Sequence, residues 1–179
     1  MVYNKKTIII SGSSDIGEAL SKKMSINNKI ISSYNNSFPK FKKNNIKFLK
    51  LNIKNISEID QFVKHNALNN WDNLIILPAT QLPIGLANEV DPKKWLDSIN
   101  INFTNQIYLL LKLLPKKSKK KEKRIILWSG TGSNNAPKYY SAYTVSKIAL
   151  TKITEIFDAE LDDCILSVIG PGWVKTKIH

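Results

Sequence analysis

The sequence predicts an α/β fold, a doubly wound parallel sheet with helices on both faces in three layers, and three observations carry that prediction. Short uninterrupted apolar runs such as Thr7 to Ile10 and Leu74 to Leu77 recur along the chain, and continuous apolar strands are those buried on both faces. Segments with helical apolar spacing lie between the runs, as the crossovers of a parallel sheet require. The first run ends directly in a Ser/Gly turn that opens a helical pattern.

In order, Lys6 to Ile10 is a β-branched strand ending at Ser11-Gly12, and Ile16, Ala19, Leu20 and Met24 mark the helix that follows. Lys29 to Ser32 and Lys47 to Leu51 are the second and third strands. A helix is expected over Ser57 to His65 with Ser57 as its cap. Leu74 to Leu77 is the fourth strand, and Trp95 to Leu114 is a long helix that Pro115 stops. Lys116 to Arg124 is dense in positive charge and reads as a solvated loop. Arg124 to Trp128, a helix from about Ser141 to Leu161, and Ile165 to Ile169 complete the set.

The 179 residues, 42% of them hydrophobic, suffice for one core, so residues 1–179 are expected to form one domain. No apolar run approaches the roughly 20 residues of a membrane-spanning helix, and the turn at Ser11 leaves no room for a signal peptide ahead of it. A cytoplasmic protein without a membrane partner is expected. Cys164 is the only cysteine, which excludes an intrachain disulfide and a cysteine-based metal cluster. His65 and His179 have no acid or cysteine at ligand spacing, so no metal is expected. The net charge of +13 accompanies a composition rich in Lys, Asn and Ile, as AT-rich coding produces, and is read as surface drift. Its secondary reading is a general aid to binding phosphorylated cofactors or acidic substrates, and no nucleic-acid partner is expected.

In such a sheet, ligands bind at the carboxyl ends of the strands, and the first strand-to-helix turn holds a pyrophosphate on helix N-terminal amides. Here that turn is Ser11-Gly12-Ser13-Ser14-Asp15-Ile16-Gly17. At the other end of the chain, Tyr143 and Lys147 are four residues apart, hence on one helical face. An ammonium beside a phenol favours phenolate and lowers a pKa that is otherwise about 10, which suits proton exchange. The fifth strand ends in Trp128-Ser129-Gly130-Thr131-Gly132, where a hydroxyl can donate to an oxygen that gains charge.

These segments, in this order, resemble the short-chain dehydrogenase/reductase family, and the resemblance covers essentially the whole chain. Aligned from Ile16-Gly17, Ser11 and Asp15 stand where the family has its first and middle glycines. The resemblance implies a Rossmann fold, NAD(P)-dependent hydride transfer between a nicotinamide cofactor and a small carbonyl or alcohol, and a homo-oligomer, dimer or tetramer. It implies Tyr143 as proton donor or acceptor and Ser129 as donor to the substrate oxygen. Ser129 lies fourteen residues before Tyr143; a frequent spacing one shorter falls on Gly130, and Thr131 is a lesser candidate. Lys147 is implied to bind the nicotinamide ribose and tune the tyrosine. Asn102, in Asn100-Ile101-Asn102, is implied to support a proton path through water.

For the cofactor, the resemblance implies contacts from Ser11, Gly12, Ser13, Ser14, Asp15 and Ile16 in the turn, and from Tyr34 after the second strand. Asn52 and Ile53 follow the third strand, and Pro78 and Ala79 follow the fourth. Tyr143 and Lys147 join them, with Pro171, Gly172, Val174 and Thr176 of the Pro-Gly-x-x-x-Thr segment on the nicotinamide. No acid stands in Ser33-Tyr34-Asn35-Asn36 to hold a ribose 2′-hydroxyl, and Lys40, Lys42 and Lys43 follow, so NADP(H) is favoured over NAD(H). Relatives continue past that segment into a helical lid and a seventh strand. A chain ending at His179 is expected to lack both, which keeps a catalytically impaired or non-catalytic dinucleotide binder as the alternative.

Overall fold

A computed structural model of the chain describes residues 5–39, 41, 43–119, 122–130, 135–172 and 174–176. Six strands, β1 (Lys5–Ile10), β2 (Asn28–Tyr34), β3 (Ile46–Lys50), β4 (Asn73–Ile76), β5 (Arg124–Trp128) and β6 (Ile165–Ile169), form one parallel sheet in the order β3-β2-β1-β4-β5-β6. The order reverses between β1 and β4, which are paired in register from Thr7↔Asn73 to Ile10↔Ile76. This is the predicted doubly wound sheet, and its switch point is where a crevice opens outside the carboxyl ends of the strands.

The strands are apolar on both faces because both are covered. Ile8 and Ile10 of β1 join Leu74, Ile76, Ile125 and Leu127 in a core beneath the helices α2 (Ile56–Val63), α4 (Asn105–Leu113) and α5 (Ser141–Glu160). Ile9, Ile30, Ile75 and Leu77 point the other way and pack with Ile16, Leu20 and Met24 of α1 (Asp15–Met24). Among the described residues, no helix is long and apolar enough to cross a membrane.

Four local readings need correction. Helix α2 is capped by Asn55, whose side-chain oxygen accepts from the Ser57 amide at 2.9 Å and the Ser57 hydroxyl at 2.8 Å, so Ser57 is a capped residue. The long helix begins with α3 (Pro92–Ile99), before Trp95, because Asp91 accepts from the amides of Lys93 and Lys94 and Pro92 has no amide to satisfy. It passes through a π turn at Asn100–Thr104 into α4, and Pro115 sits inside a 3-10 turn, Leu114–Lys116, that extends it. The basic segment after it is tied down in part. Lys117 and the buried Lys123 both reach Asp163, at 2.8 and 3.1 Å, and together hold its carboxyl down at about 2.

Candidate active site

Two clefts open at the carboxyl edge of the sheet and share Ser11 and Ala79 as common wall. The smaller, of about 190 Å³, is lined by Tyr34, Asn52, Ile53, Lys54 and Pro78. The larger, of about 390 Å³, is lined by Ser14, Asp15 and Ile16 at the start of α1, by Tyr143 and Lys147 of α5, and by Pro171, Gly172, Val174 and Thr176 after β6. All the expected cofactor residues line one or both clefts except Gly12 and Ser13. Gly12 is buried under the turn, where an added Cβ would lie 1.8 Å from Ser32 Oγ. A Cβ on Gly17 would lie 2.3 Å from the Ser11 carbonyl oxygen, so α1 packs directly against the turn.

The turn is held from within. Ser11 adopts a positive φ of 66°, its amide donates to Ser33 Oγ at 2.8 Å, and its carbonyl accepts from the Ser14 hydroxyl at 2.7 Å. Ser14 caps α1 by accepting from the Gly17 amide at 3.1 Å. The Ser14 hydroxyl proton is thus spent on the turn, which leaves the N-terminal turn of α1 as the group there that could hold an anion. Asp15 places a carboxylate in that same turn.

Three buried amides, Asn102, Asn105 and Gln106, lie close together across the π turn and the start of α4. Asn102, fully buried, accepts from the Thr80 amide and donates to the Thr80 carbonyl, both at 2.8 Å, and donates to Ser98 Oγ at 3.1 Å. Its amide imitates a strand edge and pins the segment after β4. Asn105 donates to the Ile53 carbonyl at 2.8 Å, and Gln106 donates to the carbonyls of Pro78 and Ile101 at 2.8 and 2.9 Å. A π turn shifts backbone pairing by one residue; the Gln106 side chain reaches a carbonyl inside that turn. Asn102 lines neither cleft; it supports the wall that Ala79 and Thr80 form.

On α5, the ammonium of Lys147 is fully buried, donates to the Trp128 carbonyl at 2.8 Å, and lies 5.7 Å from the centre of the Tyr143 ring. Burial lowers the Lys147 pKa to about 7. Burial also raises that of Tyr143, opposite to the expected depression, because phenolate would lose its solvation there. Ser129 differs from expectation too. Its hydroxyl donates to the Lys147 carbonyl at 3.1 Å and lies 3.3 Å from Thr151 Oγ1, so its proton serves the α5 backbone and not the cleft. Thr131, Lys40 and Lys42 lie outside the described residues. Lys43 is engaged away from the smaller cleft, with Nζ 3.3 Å from the Lys22 carbonyl.

Several lining residues were not anticipated from the sequence. They include Lys54 in the smaller cleft and Gln81, Trp128, Asn135, Pro137 and Tyr140 in the larger. Lys54 follows Asn52 and Ile53, so its nearness to the third strand was the available signal. Gln81 and Tyr140 carried none, since they stand on connections whose course is not periodic.

Comparison with known families matches residues 5–179 to the one described as short chain dehydrogenase. Comparison with curated proteins gives no match. Among solved structures, a short chain dehydrogenase family protein from Francisella tularensis superposes with a TM-score of 0.89 at 19% identity, covering 98% of this chain and 72% of that one. The aldohexose dehydrogenase of Thermoplasma acidophilum gives 0.87 at 18% identity, covering 98% and 69%. A short chain dehydrogenase from Shigella flexneri, complexed with NADP, gives 0.86 at 16% identity, covering 99% and 80%.

Proposed function

The chain belongs to the short chain dehydrogenase family, and on that premise we propose that it is an oxidoreductase that takes NADP(H) in preference to NAD(H) and acts on a small carbonyl or alcohol. The observation that carries the proposal is the pair of adjoining clefts, with Tyr143 and Lys147 in the wall of the larger. The residues fit a dinucleotide. The turn at Gly12 has no space for a side chain, the first turn of α1 lines the cleft beside the shared wall, and each half of a dinucleotide has a compartment. When bound, the nicotinamide supplies or accepts the hydride.

The protein's own part is placement and proton transfer. Tyr34, Asn52, Ile53 and Pro78 would enclose the adenosine half; Pro171, Gly172, Val174 and Thr176 would hold the nicotinamide half. Lys54 is the one charged residue lining the smaller cleft among the described residues. A cation there, with no carboxylate, supports the phosphorylated cofactor. Tyr143, its pKa raised by burial, keeps its proton at neutral pH and is suited to donate it to a carbonyl oxygen. Lys147 and Asn102 fix the walls through Trp128 and Thr80.

Self-association and a cytoplasmic location belong to the same proposal. Val145, Ile148 and Ile156 of α5 and Leu111 of α4 are exposed apolar side chains that support the first, and light scattering measures it. A non-catalytic dinucleotide binder is the second reading, favoured by the commitment of the Ser129 hydroxyl to α5. Titration with NADPH and NADH, followed by reduced-nicotinamide fluorescence, tests the cofactor site. A carbonyl screen with Tyr143→Phe as control then separates the readings. Saturable binding and turnover lost in Tyr143→Phe support the enzyme; binding without turnover of any carbonyl supports the second reading.

A further inference from the structure

Three consecutive residues at the end of β5 dock three different parts of α5. The Trp128 carbonyl holds the Lys147 ammonium, and the Ser129 hydroxyl holds the Lys147 carbonyl. Gly130 receives the phenol of Tyr143. A Cβ on Gly130 would lie 2.4 Å from the Tyr143 hydroxyl oxygen, 3.0 Å from Cζ and 3.1 Å from Cε1. The edge of the ring therefore fills the space a side chain at 130 would take. Gly130 does not have a positive φ, so backbone conformation does not demand glycine there; the room for the phenol does.

We propose that Gly130 is a positioning residue whose bare Cα sets how deep the Tyr143 hydroxyl sits in the larger cleft. The inference rests on the proposed proton transfer by Tyr143. Tyr143 lies in the first turn of α5, and Lys147 one turn on anchors that helix to Trp128. These bonds hold the helix in place, and the atoms met are the tip of the Tyr143 side chain, so a methyl group at 130 moves the phenol by rotation of its own side chain. Ordinary contact begins at 3.4 Å, so the hydroxyl must shift by about 1 Å. A misplacement of that size costs on the order of 100-fold in a positioned reaction.

The test is Gly130→Ala in the full chain, alone and combined with Tyr143→Ala. If the phenol rests on Gly130, alanine lowers the unfolding midpoint in the natural background and leaves it level or raises it where the ring is gone. An equal drop in both backgrounds overturns the seat. Gly130→Ala is also expected to lower kcat by roughly 30- to 100-fold, with the Kd for NADPH and the substrate KM within about threefold. An unchanged kcat, or a loss confined to KM, overturns the positioning role. Failure of the natural chain itself to bind nicotinamide or turn over carbonyls would instead sink the proposed function. The unfolding comparison still decides the seat in that case.

Discussion

Replacing Lys147 by methionine removes a charge from a fully buried position while keeping an unbranched side chain of similar reach. In the unfolded chain the ammonium titrates near 10.5, and in the folded chain near 7. Between those values the unfolded state holds a proton that the folded state lacks, so stability rises with pH across that window and is lowest below about 7. At about 1.4 kcal/mol per pH unit, the full window is on the order of 5 kcal/mol. Methionine avoids that cost but forfeits the bond to the Trp128 carbonyl, worth about 1 kcal/mol. The variant should thus be more stable than the natural chain at pH 6 by roughly 4 kcal/mol, or about 8–16 °C in Tm. The advantage should shrink steadily above pH 7 and reverse near pH 10. Thermal unfolding by circular dichroism at pH 6, 8 and 10 measures it, and groups common to both proteins cancel in the difference. A difference independent of pH would show that Lys147 is not neutralised by burial and would refute the reasoning.

Other consequences can be checked on the same protein. Ser11→Gly relieves a left-handed residue and keeps the backbone amide and carbonyl that bond Ser33 and Ser14, and a gain of about 0.5–1 kcal/mol is expected after the entropy cost of glycine; a lower urea midpoint would contradict it. Gly12→Ala drives a methyl into Ser32 Oγ, which also pairs with Ser21 Oγ at 3.2 Å, so a loss of about 2–3 kcal/mol is expected from overpacking. Adding Ser32→Ala should recover part of that loss, and a variant with no such recovery would place the strain elsewhere. Asp15→Asn removes a carboxylate from the α1 turn where a pyrophosphate would sit, and NADPH Kd should fall by about two- to fivefold, an effect of about 0.3–1 kcal/mol. Titration at low and high salt checks it, because a gain that survives high salt is not electrostatic.

The architecture was legible because burial on both faces leaves a direct mark: β1 and β4 are apolar at consecutive positions, and both cores use them. Helix ends were less legible. The Asp91-Pro92 signal stood three residues ahead of the apolar periodicity that drew attention to Trp95, and Asn55 stood two residues ahead of Ser57. Periodicity marks where a helix is packed, whereas a cap marks where its backbone begins. In the site, positions along the strands were readable, since the carboxyl edge of a parallel sheet collects whatever follows each strand. The directions of side chains were not. Ser129 lies where a donor was expected, yet its hydroxyl turns to the α5 backbone, a choice that depends on how closely the helix approaches β5.

That approach links the scaffold to the chemistry proposed for it. The amides of Asn102, Asn105 and Gln106 tie the segments after β4 and β3 to one side of the clefts, at Thr80, Pro78 and Ile53. Trp128, Ser129 and Gly130 fix the opposite side through α5. Both sides are thus built from buried polar groups that lose their partners if the walls move apart, and such losses cost about 1–3 kcal/mol each. Asn102→Leu should therefore disturb the cleft at Ala79, which both compartments share, before it disturbs the sheet. Weaker NADPH binding with near-normal far-ultraviolet dichroism is the outcome this arrangement requires. Intact binding in a folded variant would mean that the wall at Ala79 stands without its amide support.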